Sequence, residues 1–259
     1  MGLLDLPAML DYILNLTKKE KLTYIGHSQG CAQFFALCSL QPDFCEKRIK
    51  GMLAFGPAIY LDNGTANILT IAAKFKFDSF LNEIGIKNLL ESPEKVNVFT
   101  RLICNNFTSL CKIVDSLIAD ENPLDNNQDR IKVFFSHYPS GMSTRSIHHF
   151  GEIIRTKKFV NIRSDNNEEY PINNINVPLY LFVGNDDRLA DSMDCRRARD
   201  ALNKNFVKFY KEYDGMGHMS FFMTNGKPTF IKDALDMVKD IESYAWITLK
   251  LKIDNDISN

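Results

Sequence analysis

Apolar residues along the first sixty positions change their period repeatedly, and the changes mark elements. Between residues 5 and 19, Leu6, Met9, Leu10, Ile13, Leu14 and Leu16 recur at helical spacing, with Pro7 in the first turn. Leu22 to Ile25 is a short apolar run that stops at Gly26 and predicts a strand. Gln29 to Leu40 returns to a helical pattern that Pro42 ends, and the apolar run from Lys50 to Ala58 is short enough for a buried parallel strand. Helix, strand, helix, strand is the alternation of an α/β sheet.

From about residue 62 to 175 that rhythm breaks. The stretch predicts several helices, holds many aromatics and offers no convincing strand, as an insertion between two sheet-forming pieces would. Strand pattern resumes with VPLYLFVG from Val177, followed by an acidic turn and a helix over Asp191 to Leu202. FVKFYKEYDGMGH then predicts a last strand and loop, and a closing helix runs from Thr229 to about Leu249. The expected organisation is a core over residues 1–61 and 176–259 with a helical cap over 62–175.

With 259 residues, 45% of them hydrophobic, the chain can bury a sizeable core. A formal net charge of −1 gives no electrostatic reason to expect nucleic acid as a partner. No run of 18 apolar residues predicts a bilayer span. The start, MGLLDLPAMLDYILNLTKKEK, lacks the basic residues, apolar run and cleavage site of a signal peptide, and Leu6 stands where a myristoylation motif needs Ser or Thr. The chain therefore reads as if cut from something longer.

Cys31, Cys38 and Cys45 recur at every seventh residue around a predicted helix and read as buried packing thiols. Cys104 and Cys111 leave open a small disulfide loop in an oxidising compartment. Glycosylation triplets at Asn15, Asn63 and Asn106 weakly favour the secretory route.

The chemistry starts at Gly26-His27-Ser28-Gln29-Gly30, a G-x-S-x-G pentapeptide. The motif alone is common; a strand before it and a helix after it make it a nucleophile elbow, with Ser28 at the carboxyl end of the sheet. Gly26 and Gly30 read as positions where a side chain would collide with the neighbouring strand and helix. The Gln29 N–H, at the helix start, is placed to stabilise an oxyanion. His27 reads as packing under the turn.

A serine hydroxyl needs an imidazole to take its proton, and the imidazole needs a carboxylate to fix its tautomer. In this architecture both follow the serine, acid first. Of the five histidines, His137, His148 and His149 precede any acid on a following strand, which leaves His218 in GMGHMSF. Asp186, Asp187 and Asp191 stand just beyond the VPLYLFVG strand. Asp191 fits a helix cap, and of the other two Asp187 is favoured, with room for one helix and one strand before His218. No metal site is expected, because His148 and His149 are adjacent and no Cys or carboxylate pattern completes one. No cofactor is implied.

Taken in order, DLPAMLDYIL with LTYIGHSQG, RIKGMLAFGPA, FFSHYPSGMSTRSIHHFGEIIRTKKF, VPLYLFVGNDDRLAD and YDGMGHMSFF resemble the acid lipase family, the gastric and lysosomal acid lipases and their insect relatives. The resemblance spans nearly the whole chain. It implies an α/β-hydrolase fold with a mostly parallel sheet, of which the C-terminal half is retained, and an inserted helical cap. The family's catalytic Asp lies four residues before the Asp of Leu-Ala-Asp, which here is Asp187. Family members carry further strands before the segment matching Asp5, including the loop that supplies a second oxyanion N–H, and a signal peptide; neither has a match here. The resemblance therefore implies an N-terminally truncated form, whose nucleophile strand would be an apolar sheet edge.

The expected function is hydrolysis of lipid esters, triacylglycerol or sterol ester, at a lipid–water interface, in a secreted or lysosomal protein. The alternatives are a soluble carboxylesterase or acyltransferase and a weakly active or inactive lipase-like binding protein.

Overall fold

In a computed structural model the chain is described over residues 1–65, 71, 73–89, 141–223 and 230–243, with isolated positions 98, 109, 127, 133 and 137. In chain order the elements are α1 (Asp5–Thr17), β1 (Leu22–His27), α2 (Gln29–Leu40), α3 (Pro42–Arg48) and β2 (Ile49–Phe55). There follow α4 (Phe77–Glu83), β3 (Asn88–Leu89), β4 (Met142–Ser143) and α5 (Thr144–Thr156). The chain continues with β5 (Leu179–Gly184), α6 (Ser192–Ala201), β6 (Val207–Tyr213), α7 (Ser220–Met223) and α8 over 230–243.

β1, β2, β5 and β6 form one parallel sheet in that spatial order. Parallel neighbours need long crossovers, here α2 with α3 between β1 and β2, and α6 between β5 and β6. The register pairs His27 with Phe55, Phe55 with Phe182, and Gly184 with Tyr213. Four strand ends therefore finish along one edge, and every residue of the candidate site is carried just beyond it.

Alternation along the strands sends side chains to both faces, and both are covered. Met52, Leu179 and Leu181 pack with Phe34, Phe35 and Leu37 of α2. Leu53, Phe55, Tyr180 and Phe182 pack with Phe230 and Ile241 of α8. β5 is buried at all six positions, whereas β1, the edge of this sheet among the described strands, is mostly half-buried and leaves Ile25 60% exposed. The expectation of an apolar edge at the nucleophile strand is thus met.

Three local expectations change. Pro42 does end α2, but it also occupies the first turn of α3, where its missing N–H costs nothing. The chain folds back there, so Cys38 and Cys45 face each other across the turn and form a disulfide, with Cα atoms 5.5 Å apart. Of the three cysteines read as packing thiols only Cys31 remains one. The stretch that offered no strand contains the short antiparallel pair β3–β4, joining Leu89 to Met142 and Asn88 to Ser143. Cys104, Cys111, Asn106 and the end of the closing helix lie outside the described residues.

Candidate active site

β1 ends and α2 begins with no loop between them, and Ser28 absorbs the whole change of direction at φ 52° and ψ −116°. A non-glycine residue there is strained by about 1–3 kcal/mol, and neighbouring structure must hold it. The Ser28 N–H donates to Phe55 O at 3.0 Å, which ties the elbow to the end of β2. A Cβ on Gly26 would meet backbone atoms of Gly30 and Cys31 at 3.0 and 3.1 Å, so this glycine is required by space. Gly30 is not: a Cβ there meets only the Tyr24 hydroxyl, at 3.9 Å. Gln29 opens α2, and its N–H makes no hydrogen bond among the described residues. Ser28 Oγ makes none either and faces a cavity.

Beyond β5, Asp187 is 3% exposed, and its Oδ2 lies 2.8 Å from His218 Nδ1. The N–H groups of Leu189 and Ala190 donate to its Oδ1 at 2.8 and 2.7 Å. The Asp186 N–H donates to Met216 O, and Asp191 caps α6 by accepting from Met193 N–H. Of the three carboxylates, Asp191 is thus a helix cap and Asp187 is the one in contact with His218.

His218 stands on the loop after β6. The Gly217 N–H donates to Ser220 Oγ within that loop. Gly184 packs so closely beneath it that a Cβ would lie 2.2 Å from Met216 O. A Cβ on Gly56 would meet both Asp187 and His218, at 3.1 and 3.2 Å, so the pair lies directly over the end of β2, to which Ser28 is bonded. Hydrogen bonds to the nucleophile are often long in unliganded hydrolases and shorten with substrate.

His27 does more than pack. Its Nε2 is 2.9 Å from His218 O, its ring is 4.5 Å from the His218 ring, and Phe222 lies edge-on to it at 4.5 Å. Burial, with the neighbouring His218 adding to it, pushes the His27 pKa down to about 3. Nothing in the sequence distinguishes this from a packed ring, because its partner is a backbone carbonyl far along the chain.

The cavity in front of Ser28 and Gln29 measures about 230 Å³. Leu61, Phe77, Ile147, Phe150, Ile154 and Leu189 are among the residues that give it a largely apolar wall. Asp78 reaches it from α4, held by Arg155 through two bonds of 2.8 Å and by His148 Nδ1 at 2.6 Å. His148 is thus a hydrogen-bond partner of Asp78, His149 binds Val160 O at 2.7 Å, and His137 is exposed. The free thiol nearest the nucleophile, Cys31, is buried against Phe55 O, and burial pushes its pKa up. It is no rival to Ser28.

A parallel sheet with a strained serine at the end of one strand, and an Asp187–His218 pair beyond two later ones, has the arrangement of the α/β-hydrolase fold. Residues 1–83 match the family described as alpha/beta hydrolase fold. The fold is shared with BpoC from Mycobacterium tuberculosis at a TM-score of 0.50 and 14% identity, over 91% of this chain and 73% of that one.

By sequence the chain is a relative of lipases. It is 27% identical over 235 residues to Lipase 1 of Drosophila melanogaster, covering 85% of this chain and 52% of that one. It is 30% identical over 209 residues to lysosomal acid lipase/cholesteryl ester hydrolase of Rattus norvegicus, covering 75% and 52%. The chain spans about half the length of the curated relatives it matches.

Proposed function

We propose that the chain is a serine ester hydrolase acting on lipid esters, with Ser28 as nucleophile, His218 as base, Asp187 as the acid that orients it, and the Gln29 N–H as an oxyanion donor. The observation that carries this reading is the buried Asp187–His218 pair seated over the strand end to which the Ser28 elbow is tied. Asp187 holds the proton of His218 on Nδ1, which makes Nε2 the nitrogen that takes the Ser28 proton. The serine oxygen then attacks the ester carbonyl, the alcohol leaves with the proton from His218, and water releases the acid by the reverse sequence. No metal or cofactor is needed for these steps.

The lipid substrate class rests on the cavity wall and the surface above it. Residues 62–175 are read as a cap, of which α4 and α5 supply Phe77, Ile147, Phe150 and Ile154 to the cavity in front of Ser28. On the outside, Ile71, Phe75, Phe80 and Ile84 are 53% to 82% exposed, an apolar patch suited to a lipid–water interface. No helix among the described residues is long and apolar enough to cross a membrane. Triacylglycerol and sterol ester both fit this reading.

A secreted or lysosomal location is part of the same proposal. The Cys38–Cys45 disulfide suits an oxidising compartment. Asn15 is exposed near the end of α1, while the Asn63 amide already donates to Asp194 at 2.8 Å.

The test is mass spectrometry of the purified chain after a fluorophosphonate probe, with Ser28→Ala alongside. Labelling lost in the variant supports the reading. A folded chain that does not label points to a lipase-like binding protein instead.

A further inference from the structure

We propose that His27 is a positioning residue for the base: its Nε2–H donates to the backbone carbonyl of His218 and its ring backs the His218 imidazole, so it sets where the base stands over Ser28. The inference rests on the esterase reading above and concerns the same site.

The argument starts from where the two histidines sit. His27 is the last residue of β1 and is paired in register with Phe55, so its backbone is fixed by the sheet. His218 is on a loop with no such support. A loop residue that must meet Ser28 to within a few tenths of an ångström needs its backbone pinned, because about 1 Å of misplacement can cost on the order of 100-fold in rate. The Asp187 contact does not do this, since it is made to a ring nitrogen and not to the backbone.

Further contacts supply the missing restraint. Ser220 Oγ accepts the N–H of Gly217, on the amino side of His218, and His27 binds the carbonyl of His218 itself at 2.9 Å. The Ser220 N–H also donates to Gly217 O at 3.3 Å, so the peptide on each side of the His218 Cα carries a hydrogen bond. Ring contacts at 4.5 Å from His27 to His218 and from His27 to Phe222 close the remaining side.

A carbonyl only accepts, so Nε2 of His27 must carry the proton. Burial and the neighbouring His218 keep the ring from becoming cationic near neutral pH, so the second nitrogen stays unprotonated. A neutral ring matters here, because a cation 4.5 Å from the base would oppose the imidazolium that forms during attack. A lysine or arginine at this position would hold the carbonyl and spoil the base; a histidine pushed to low pKa does the first without the second.

The experiment compares wild type, His27→Leu and His27→Gln by fluorophosphonate labelling rate, by kcat and KM on a soluble p-nitrophenyl ester, and by thermal melting. His27→Leu is expected to lower the labelling rate and kcat about 100-fold with KM within about twofold of wild type. His27→Gln, which keeps a donor, is expected to recover at least about tenfold of that loss. A His27→Leu variant that melts like wild type and keeps its labelling rate and kcat overturns the proposal, and so does His27→Gln falling as far as His27→Leu.

Where His27→Leu does not fold, the tautomer in the wild-type chain decides. Nitrogen shifts of His27 near neutral pH should report a neutral Nε2–H ring, and an Nδ1–H or cationic ring overturns the assignment. A folded wild-type chain that fails to label overturns the esterase reading itself, which the comparison of variants within a labelling enzyme does not.

Discussion

Asp187 divides its carboxylate between two tasks: Oδ2 meets His218 Nδ1 at 2.8 Å, while Oδ1 accepts the N–H groups of Leu189 and Ala190. An amide cannot serve both. Asp187→Asn must turn its NH₂ either toward the imidazole, which forces the wrong tautomer, or toward two N–H donors. The variant is expected to lose on the order of 10⁴-fold in kcat while remaining folded, as read from ester hydrolysis and far-ultraviolet circular dichroism.

Gly184 tests how tightly the base loop is seated. Because a Cβ would lie 2.2 Å from Met216 O, and that atom is backbone, Gly184→Ala must push the His218 loop away from β5. A loss of about 1–3 kcal/mol in stability is expected, together with slower labelling of Ser28. Gly30→Ala, where there is room, should leave both nearly unchanged. Urea melts of the two variants make the comparison.

Part of this site is legible in the sequence because it depends on local pattern. The bounds of α2, the elbow at Ser28 and the choice of His218 follow from period, glycine placement and chain order. What stays hidden depends on which backbone groups meet across the fold. The pairing of Cys38 with Cys45 needs the reversal at Pro42, and spacing along one helix suggests the opposite. The bond from His27 to His218 O joins residues far apart in sequence, and the freedom at Gly30 becomes visible only once Tyr24 is placed. β3 and β4 are two residues each, too short for alternation to register.

Acid should loosen the link between α4 and α5. Burial pushes the Asp78 carboxyl upward, but hydrogen bonds from Arg155 and His148 outweigh it and hold its pKa near 2, against an ordinary 3.8. A carboxylate depressed in the folded state stabilises fully above its unfolded pKa and loses that contribution as pH falls through the folded one. The link is therefore worth about 2 kcal/mol above pH ~4 and is lost as pH falls toward ~2. Asp78→Asn, which leaves Arg155 its bonds to Glu152 and Ala73 O, should cost about 2 kcal/mol at neutral pH. Its gap from wild type should narrow in melts carried out below pH ~4.

The cavity wall predicts a chain-length preference. Placing a carboxylate at Ile147, which faces the space in front of Ser28, should penalise long acyl chains while sparing acetate. Ile147→Asp is expected to lower kcat/KM for a long-chain p-nitrophenyl ester at least about tenfold relative to the acetate. Equal losses on both esters would mean the acyl chain lies elsewhere.

Reducing the Cys38–Cys45 bond should lower stability by about 2 kcal/mol, since it closes only a short loop, and should leave the labelling of Ser28 intact in a chain that is still folded. Denaturation with and without dithiothreitol measures it.

The backbone of Ser28, at φ 52° and ψ −116°, has a consequence for the history of any such chain. Glycine would relax there with no loss of packing and a gain of about 1–3 kcal/mol. If Ser28 is the nucleophile, mutation toward a hardier molecule and mutation toward an inert one coincide there. A lineage released from the need for chemistry would drift toward glycine at this position, so on the proposed reading the serine trades thermal robustness for reactivity.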